Sequence, residues 1–176
     1  LGGREKGLVE FNGVPAVVLA AGILAPICNK VHISANRHLD AYTALGLGPV
    51  HRDDREGYQG PLAGLESAGS AAHGAYLLLL PCDMPRLSGE VPAKLLAPLR
   101  DDPTLQLTYA RGNGRDHFLC AALRRPALQG LTAFLDEGGR AVRHWYATLR
   151  HRAVDFDAPL NAGLRNFNSP EDWAPQ

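Results

Sequence analysis

The stretch Ala75–Leu80 (AYLLLL) is apolar at every position and stops against Pro81-Cys82-Asp83-Met84-Pro85. A strand with no polar face must be covered on both sides, as strands are inside a parallel sheet flanked by helices. The surrounding pattern fits such a sheet. Lys30–Ala35, Pro49–Arg52 and His151–Phe156 alternate as strands do, and Gln106–Ala110 with Phe118–Arg124 read as strands around the turn Gly112–Asp116. Helices are expected over Pro15–Ile27, Leu39–Leu45, Pro61–His73, from Ser88 to about Arg100, and over Pro126–Glu137 and Ala141–Leu149, with a last start at Ser169-Pro170-Glu171. Strands alternating with helices predict an α/β fold of three layers, a mainly parallel sheet with helices on both faces.

Composition narrows the function. A chain of 176 residues, 45% hydrophobic and 20% charged, suits one domain over 1–176, without internal repeats or a linker. Basic and acidic side chains balance at 18 each, which argues against a polyanion-binding surface and so against nucleic acid. The longest apolar runs, Ala75–Pro81 and Pro15–Ile27, are too short or interrupted to span a bilayer. Cys28, Cys82 and Cys120 form neither a disulfide framework nor a CxxC pair, and as buried free thiols they favour a reducing, cytoplasmic compartment. The chain opens on Leu1-Gly2-Gly3 without a methionine, so preceding residues are expected to be missing.

In open α/β sheets, ligands bind beyond the carboxyl ends of the strands. Asn36-Arg37, Asp53–Gly60 and Pro81–Pro85 each follow a predicted strand and should open onto one crevice. Asp83 there suits Mg²⁺, which takes one or two carboxylates plus substrate phosphates, although a turn or helix-capping aspartate reads the same. Gly2-Gly3-Arg4-Glu5-Lys6-Gly7 brings backbone N–H groups and an ammonium within reach of phosphates, without the P-loop pattern; a solvated turn is the alternative. Gly60-Pro61-Leu62-Ala63-Gly64 starts a helix whose free N–H groups suit an anion, or whose small residues serve packing. The Asn36 amide and Asp53 carboxylate suit a base edge or a ribose, or turn chemistry. Arg111, Arg115, His117, Arg124, Arg125, Arg140 and Arg143 could meet an anionic co-substrate, though most read as a solvated face. The 7 histidines show no metal-binding spacing.

Taken in order, these segments resemble the molybdenum cofactor guanylyltransferases. Gly2–Leu8 matches the end of the family's opening glycine-rich loop, whose preceding strand and first glycine pair are absent from this sequence. Ile33-Ser34-Ala35-Asn36-Arg37, Asp53-Asp54 with Gly57-Tyr58-Gln59-Gly60-Pro61-Leu62-Ala63-Gly64, Pro81-Cys82-Asp83-Met84-Pro85, Gly138–Arg143 and Asn166-Phe167-Asn168-Ser169-Pro170-Glu171-Asp172 follow as its later landmarks. Asp116-His117-Phe118 departs from the family's His-Pro-Val.

The resemblance implies a Rossmann-like nucleotidyltransferase fold and transfer of GMP from GTP to molybdopterin. It implies catalytic roles for Lys6 and Asp83, Mg²⁺ on Asp83, and GTP binding by Gly2, Gly3, Lys6, Asn36, Asp53, Gly60, Pro61, Leu62 and Asp83. Further partners it implies are other cofactor-biosynthesis proteins and molybdoenzyme-specific chaperones. Two alternatives stay open, a CTP-dependent transferase for the same pterin and a non-catalytic pterin carrier. A Rossmann dehydrogenase is disfavoured by the lack of G-x-G-x-x-G.

Overall fold

The computed structural model describes residues 5–57 and 59–173, so Gly2 and Gly3 lie outside the described residues. The chain enters through a 3-10 turn at Lys6–Leu8 and a short antiparallel hairpin of β1 (Glu10–Phe11) and β2 (Val14–Pro15). Pro15 then leads into α1 (Ala16–Leu24), where its fixed φ and missing N–H cost a helix entrance little. Strand β3 (Ile33–Ser34), helix α2 (Leu39–Ala44) and strand β4 (Val50–His51) form a crossover, with β3 and β4 parallel. Both strands are shorter than their alternation suggested. Helix α3 (Pro61–Ala71) follows.

The remaining strands are β5 (Tyr76–Leu79), β6 (Leu107–Gly112), β7 (Arg115–Arg124) and β8 (His151–Asp155). They form a four-stranded sheet in the order β5-β7-β6-β8. β5 and β6 both run antiparallel to β7, and β8 runs parallel to β6, so β5, β6 and β8 share a direction that β7 alone opposes. The expectation that Ala75–Leu80 sits between parallel neighbours needs correcting, because its ladder partner is the returning strand β7. The reason lies in the turn between β6 and β7. Asn113 and Gly114 both take positive φ, the conformation whose twist matches a tight hairpin, and this folds β7 back along β6.

Helices α4 (Glu90–Asp101), α5 (Leu131–Asp136) and α6 (Val142–Tyr146) complete the layers. Val91, Leu95 and Leu99 recur every four residues along α4 and pack with Ala110, Cys120 and Ala122 on one face of the sheet. On the other face Leu62 of α3, Leu131 and Leu135 of α5, and Trp145 and Tyr146 of α6 pack with Leu107, Tyr109, Ala121 and Leu123. The apolar run of β5 divides between the two cores. Tyr76 and Leu78 join the first, and Leu77 and Leu79 join the second. This alternation is why the run has no polar face. Arg124 ties α4 to the sheet, donating to the Leu99 and Leu105 carbonyls with its guanidinium carbon 5.3 Å from the Tyr76 ring centre.

Cys120 is buried and its thiol is pushed up to about 12 by desolvation, whereas Cys28 and Cys82 are half-buried; all three are free. His32 and His51, distant in sequence, meet across β3 and β4 with ring nitrogens 2.8 Å apart. Among the described residues no helix is long and apolar enough to cross a membrane.

His117 is only 6% exposed, its Nε2 lying 3.3 Å from the Gly112 carbonyl. Burial holds its pKa below the ordinary histidine value, and burial with the nearby His51 does the same to His32. The unfolded chain therefore takes up protons first on acidification. The stability from neutral imidazoles is complete above about pH 6.5 and is lost as pH falls from there towards the folded values. Thermal melts should show Tm falling by a few degrees below that pH. His117→Gln should flatten part of the decline and His32→Gln part of the remainder; unchanged curves in both variants would assign the decline to other groups.

Candidate functional site

Asp83 follows β5 directly in the Pro81–Pro85 turn, and its side chain is 16% exposed. Its Oδ2 lies 3.5 Å from the Lys6 ammonium, while its Oδ1 is buried and has no hydrogen-bond partner. A desolvated, unsatisfied carboxylate oxygen is costly in a folded protein and marks a place where a cation or donor is expected. Among the described residues no group of three or more histidine, cysteine, aspartate or glutamate side chains gathers to hold a metal. A single carboxylate nonetheless fits Mg²⁺, which keeps several waters and draws its other ligands from substrate phosphates.

Lys6 has a second partner that motif reading did not assign. Its Nζ donates to Asn168 Oδ1 at 3.1 Å across 162 positions of sequence. Asn168 reaches the site because the C-terminal segment docks on the Asp83 turn. Phe167 N–H donates to the Asp83 carbonyl at 2.7 Å, and the Phe167 ring packs edge-on against Phe11 and Trp173. The Asp172 carboxylate then accepts the N–H groups of Asn168 and Ser169, each at 3.0 Å, capping the 3-10 turn Pro170–Trp173. Those backbone donors hold Asp172 below the usual carboxylate range.

The two expected base-reading residues pair with each other. Asn36, beyond β3, donates from its amide to Asp53 Oδ2 at 2.8 Å and accepts the Asp53 N–H at 2.9 Å. Parallel strands end on the same side, and this is what brings them together. Gly64 of α3 lies beneath the pair. A Cβ there would collide with Ser34 Oγ and sit 3.3 Å from Asp53 Oδ1, so only glycine lets the helix come this close. At the head of α3, Gly60 holds φ 80° and ψ −177°, a conformation open essentially to glycine alone, and Pro61 occupies the first turn. Leu62 is 1% exposed in the core, so it can offer only its backbone to a ligand.

A cavity of about 360 Å³ opens beside Asp83, lined by Met84, Phe118, Leu119, Val142, Arg143 and Asn166, among others. Phe118 is fixed by Tyr109, 4.9 Å away between ring centres, and by Tyr146, whose hydroxyl donates to the Phe118 carbonyl at 2.8 Å. Of the cations crowded into the second half of the sequence, Arg143 alone lines this cavity. Arg124, Arg125 and Arg140 donate to backbone carbonyls, Arg111 pairs with Asp116 at 2.6 Å, and His117 is buried. The helix head and the cavity adjoin, since a Cβ on Gly60 would stand 4.0 Å from the Arg140 carbonyl, one residue before the cavity wall at Ala141. The geometry therefore joins a helix N-terminus and an Asn–Asp pair to a lysine–carboxylate site and a largely apolar cavity.

Residues 1–153 match the model of the MobA-like NTP transferase domain. The molybdenum cofactor guanylyltransferase of Shewanella loihica is 36% identical over 172 residues, covering 97% of this chain and 86% of the relative. Among solved structures, the molybdopterin-guanine dinucleotide biosynthesis protein A of Archaeoglobus fulgidus superposes with a TM-score of 0.76 at 19% identity, over 97% of this chain and 88% of that one. The 2-C-methyl-D-erythritol 4-phosphate cytidylyltransferase of Thermus thermophilus does so with a TM-score of 0.71 at 14% identity, over 96% and 90%. The two structures attest the shared fold, and the domain match with the sequence identity shows that the chain belongs to the MobA-like NTP transferase family.

Proposed function

We propose that this protein transfers GMP from GTP to the terminal phosphate of molybdopterin, releasing pyrophosphate and forming the guanine dinucleotide form of the molybdenum cofactor. The observation that carries this reading is the Asp83 carboxylate, whose Oδ1 is buried and unpartnered while its Oδ2 lies 3.5 Å from the Lys6 ammonium. The choice of guanine and of the pterin rests on what the sequence relative is named for. The three free thiols fit a reducing, cytoplasmic setting.

Both substrates are anions, so the site must offset their repulsion and align them. Asp83 is the residue to hold Mg²⁺, which when bound supplies positive charge against the triphosphate. Lys6 adds a second positive charge, and Asn168 keeps its ammonium at the site when no nucleotide is present. Asn36 and Asp53 are the candidates for the base and ribose, and the N–H groups at Gly60-Pro61-Leu62 face the phosphates, proline contributing only its fixed φ. The described part of the glycine-rich loop begins at Glu5, so the phosphate-binding role expected of Gly2 and Gly3 falls outside the described residues. The cavity with Phe118, Val142 and Arg143 takes the acceptor, apolar walls against its ring system and the guanidinium towards its phosphate.

An acceptor phosphate oxygen attacks the α-phosphorus of GTP, and the bond from that phosphorus to the β-bridging oxygen breaks. The attacking group is largely ionised at neutral pH because its second pKa is about 6. No general base is needed for this attack. Acceleration comes from charge stabilisation and alignment.

Purified protein with Mg²⁺ should release pyrophosphate from GTP when molybdopterin is supplied and not in its absence. Equal turnover with CTP would reassign the base. Asp83→Asn should cost roughly 10²–10³-fold in turnover, the scale of losing one preorganised charge contact, with Tm unchanged within a few degrees. Wild-type turnover in that variant would remove Asp83 from the metal site.

A further inference from the structure

The Asp53–Gly60 segment is anchored at three successive residues in its first half. Asp53 pairs with Asn36, and the Asp54 N–H donates to Ser67 Oγ at 2.9 Å. Arg55 makes the third anchor. Its Nε and Nη2 donate to the two oxygens of Glu66 on α3 at 2.6 and 2.9 Å, its Nη1 to Asp136 on α5 at 2.7 Å, and its Nη2 also to the Thr132 carbonyl at 3.3 Å. The Arg55 side chain is 22% exposed and that of Glu66 14%, so the bidentate pair is shielded from water.

The position of Asp136 gives this contact its meaning. The chain runs from α5 into Gly138–Arg143, whose last residues, Ala141 to Arg143, form one wall of the cavity beside Asp83. Arg140 braces this connection by donating to the Leu135 and Gly139 carbonyls at 2.7 and 2.6 Å. One guanidinium therefore links the loop that carries Asp53 to the end of α5, from which the chain runs on into the segment that walls the acceptor cavity. A planar fork can serve two carboxylates and a carbonyl at once, whereas a lysine ammonium is a point charge that cannot reproduce the bidentate contact. Without the cation, Glu66 and Asp136 would be left as neighbouring like charges.

We propose that Arg55 is a positioning residue that latches the nucleotide-side loop to the helix leading into the acceptor-side wall, and so aligns the two substrates within the frame set by the packing of α3 on α5. This inference rests on the reading of the site given above. Its test compares wild type, Arg55→Ala, Arg55→Lys and Asp136→Asn by amide hydrogen exchange without ligands, by Tm, and by steady-state kinetics with GTP, Mg²⁺ and molybdopterin. Both Arg55 variants should speed exchange in 53–57 and 138–143 by roughly tenfold while β7 stays protected. They should also lower kcat by about five- to tenfold as the reacting groups lose alignment, with KM for GTP and for molybdopterin changed less. Asp136→Asn should loosen 138–143 and raise KM for molybdopterin more than for GTP. Unchanged exchange in both segments overturns the latch whatever the activity. A lower Tm with kcat and both KM values unchanged makes Arg55 merely structural, and full rescue by Arg55→Lys removes the need for the fork. A wild type that shows the latch by exchange but transfers no guanylyl group overturns the functional reading alone.

Discussion

A sheet covered by helices on both faces leaves its polar chemistry only the strand ends. Leu107, Ala110, Cys120, Ala121, Ala122 and Leu123 are all fully buried, and a charged side chain at any of them would lie in a dry core. The polar groups gathered at Asp83 and at Asp53 accordingly lie beyond a strand or on a turn. Asn36 and Asp53 follow the parallel pair, Asp83 follows β5, and Lys6 and Asn168 come from turns near the two ends of the chain. The cost of desolvating charge thus fixes where the site is built before any ligand is considered.

Closure of the site depends on long-range docking. Lys6 and Asp83 are 77 positions apart, and Lys6 and Asn168 are 162 apart. They meet because Ala16, Phe167 and Trp173 form a small core of their own, joined by Val9, Phe11 and Cys82. That core ties the entrance of the chain to its C-terminal segment immediately behind the Asp83 turn. Its aromatic contacts hold the lysine, the carboxylate and the asparagine in register.

The nucleotide side and the acceptor side are likewise joined through packing that serves other ends. Gly64 allows α3 to press against Ser34 and Asp53, and the same helix presents Glu66 to Arg55 and Leu62 to the second core. One helix therefore supplies a phosphate-ready N-terminus, a seat for the Asn36–Asp53 pair and half of a salt-bridge latch. Such economy makes the positions of α3 interdependent, and a change at Gly64 would be felt at Asp53 and along the Asp53–Gly60 loop.

Much of this was legible in the sequence, for local reasons. The all-apolar AYLLLL run demanded a sheet covered on both faces, because side chains alternate along a strand. Pro15, Gly60-Pro61 and Ser88 marked helix starts, because proline geometry and capping act within a few residues. Asp83, Asn36 and Asp53 stood out as polar groups directly after strands. Only the tertiary structure showed that β7 is the antiparallel partner of β5, that Asn168 holds Lys6, that Phe118 and Arg143 wall a cavity, and that Arg55 bridges two segments. Those facts depend on contacts between residues far apart in the chain, and no local propensity or spacing encodes which distant carboxylate or carbonyl a given side chain will reach.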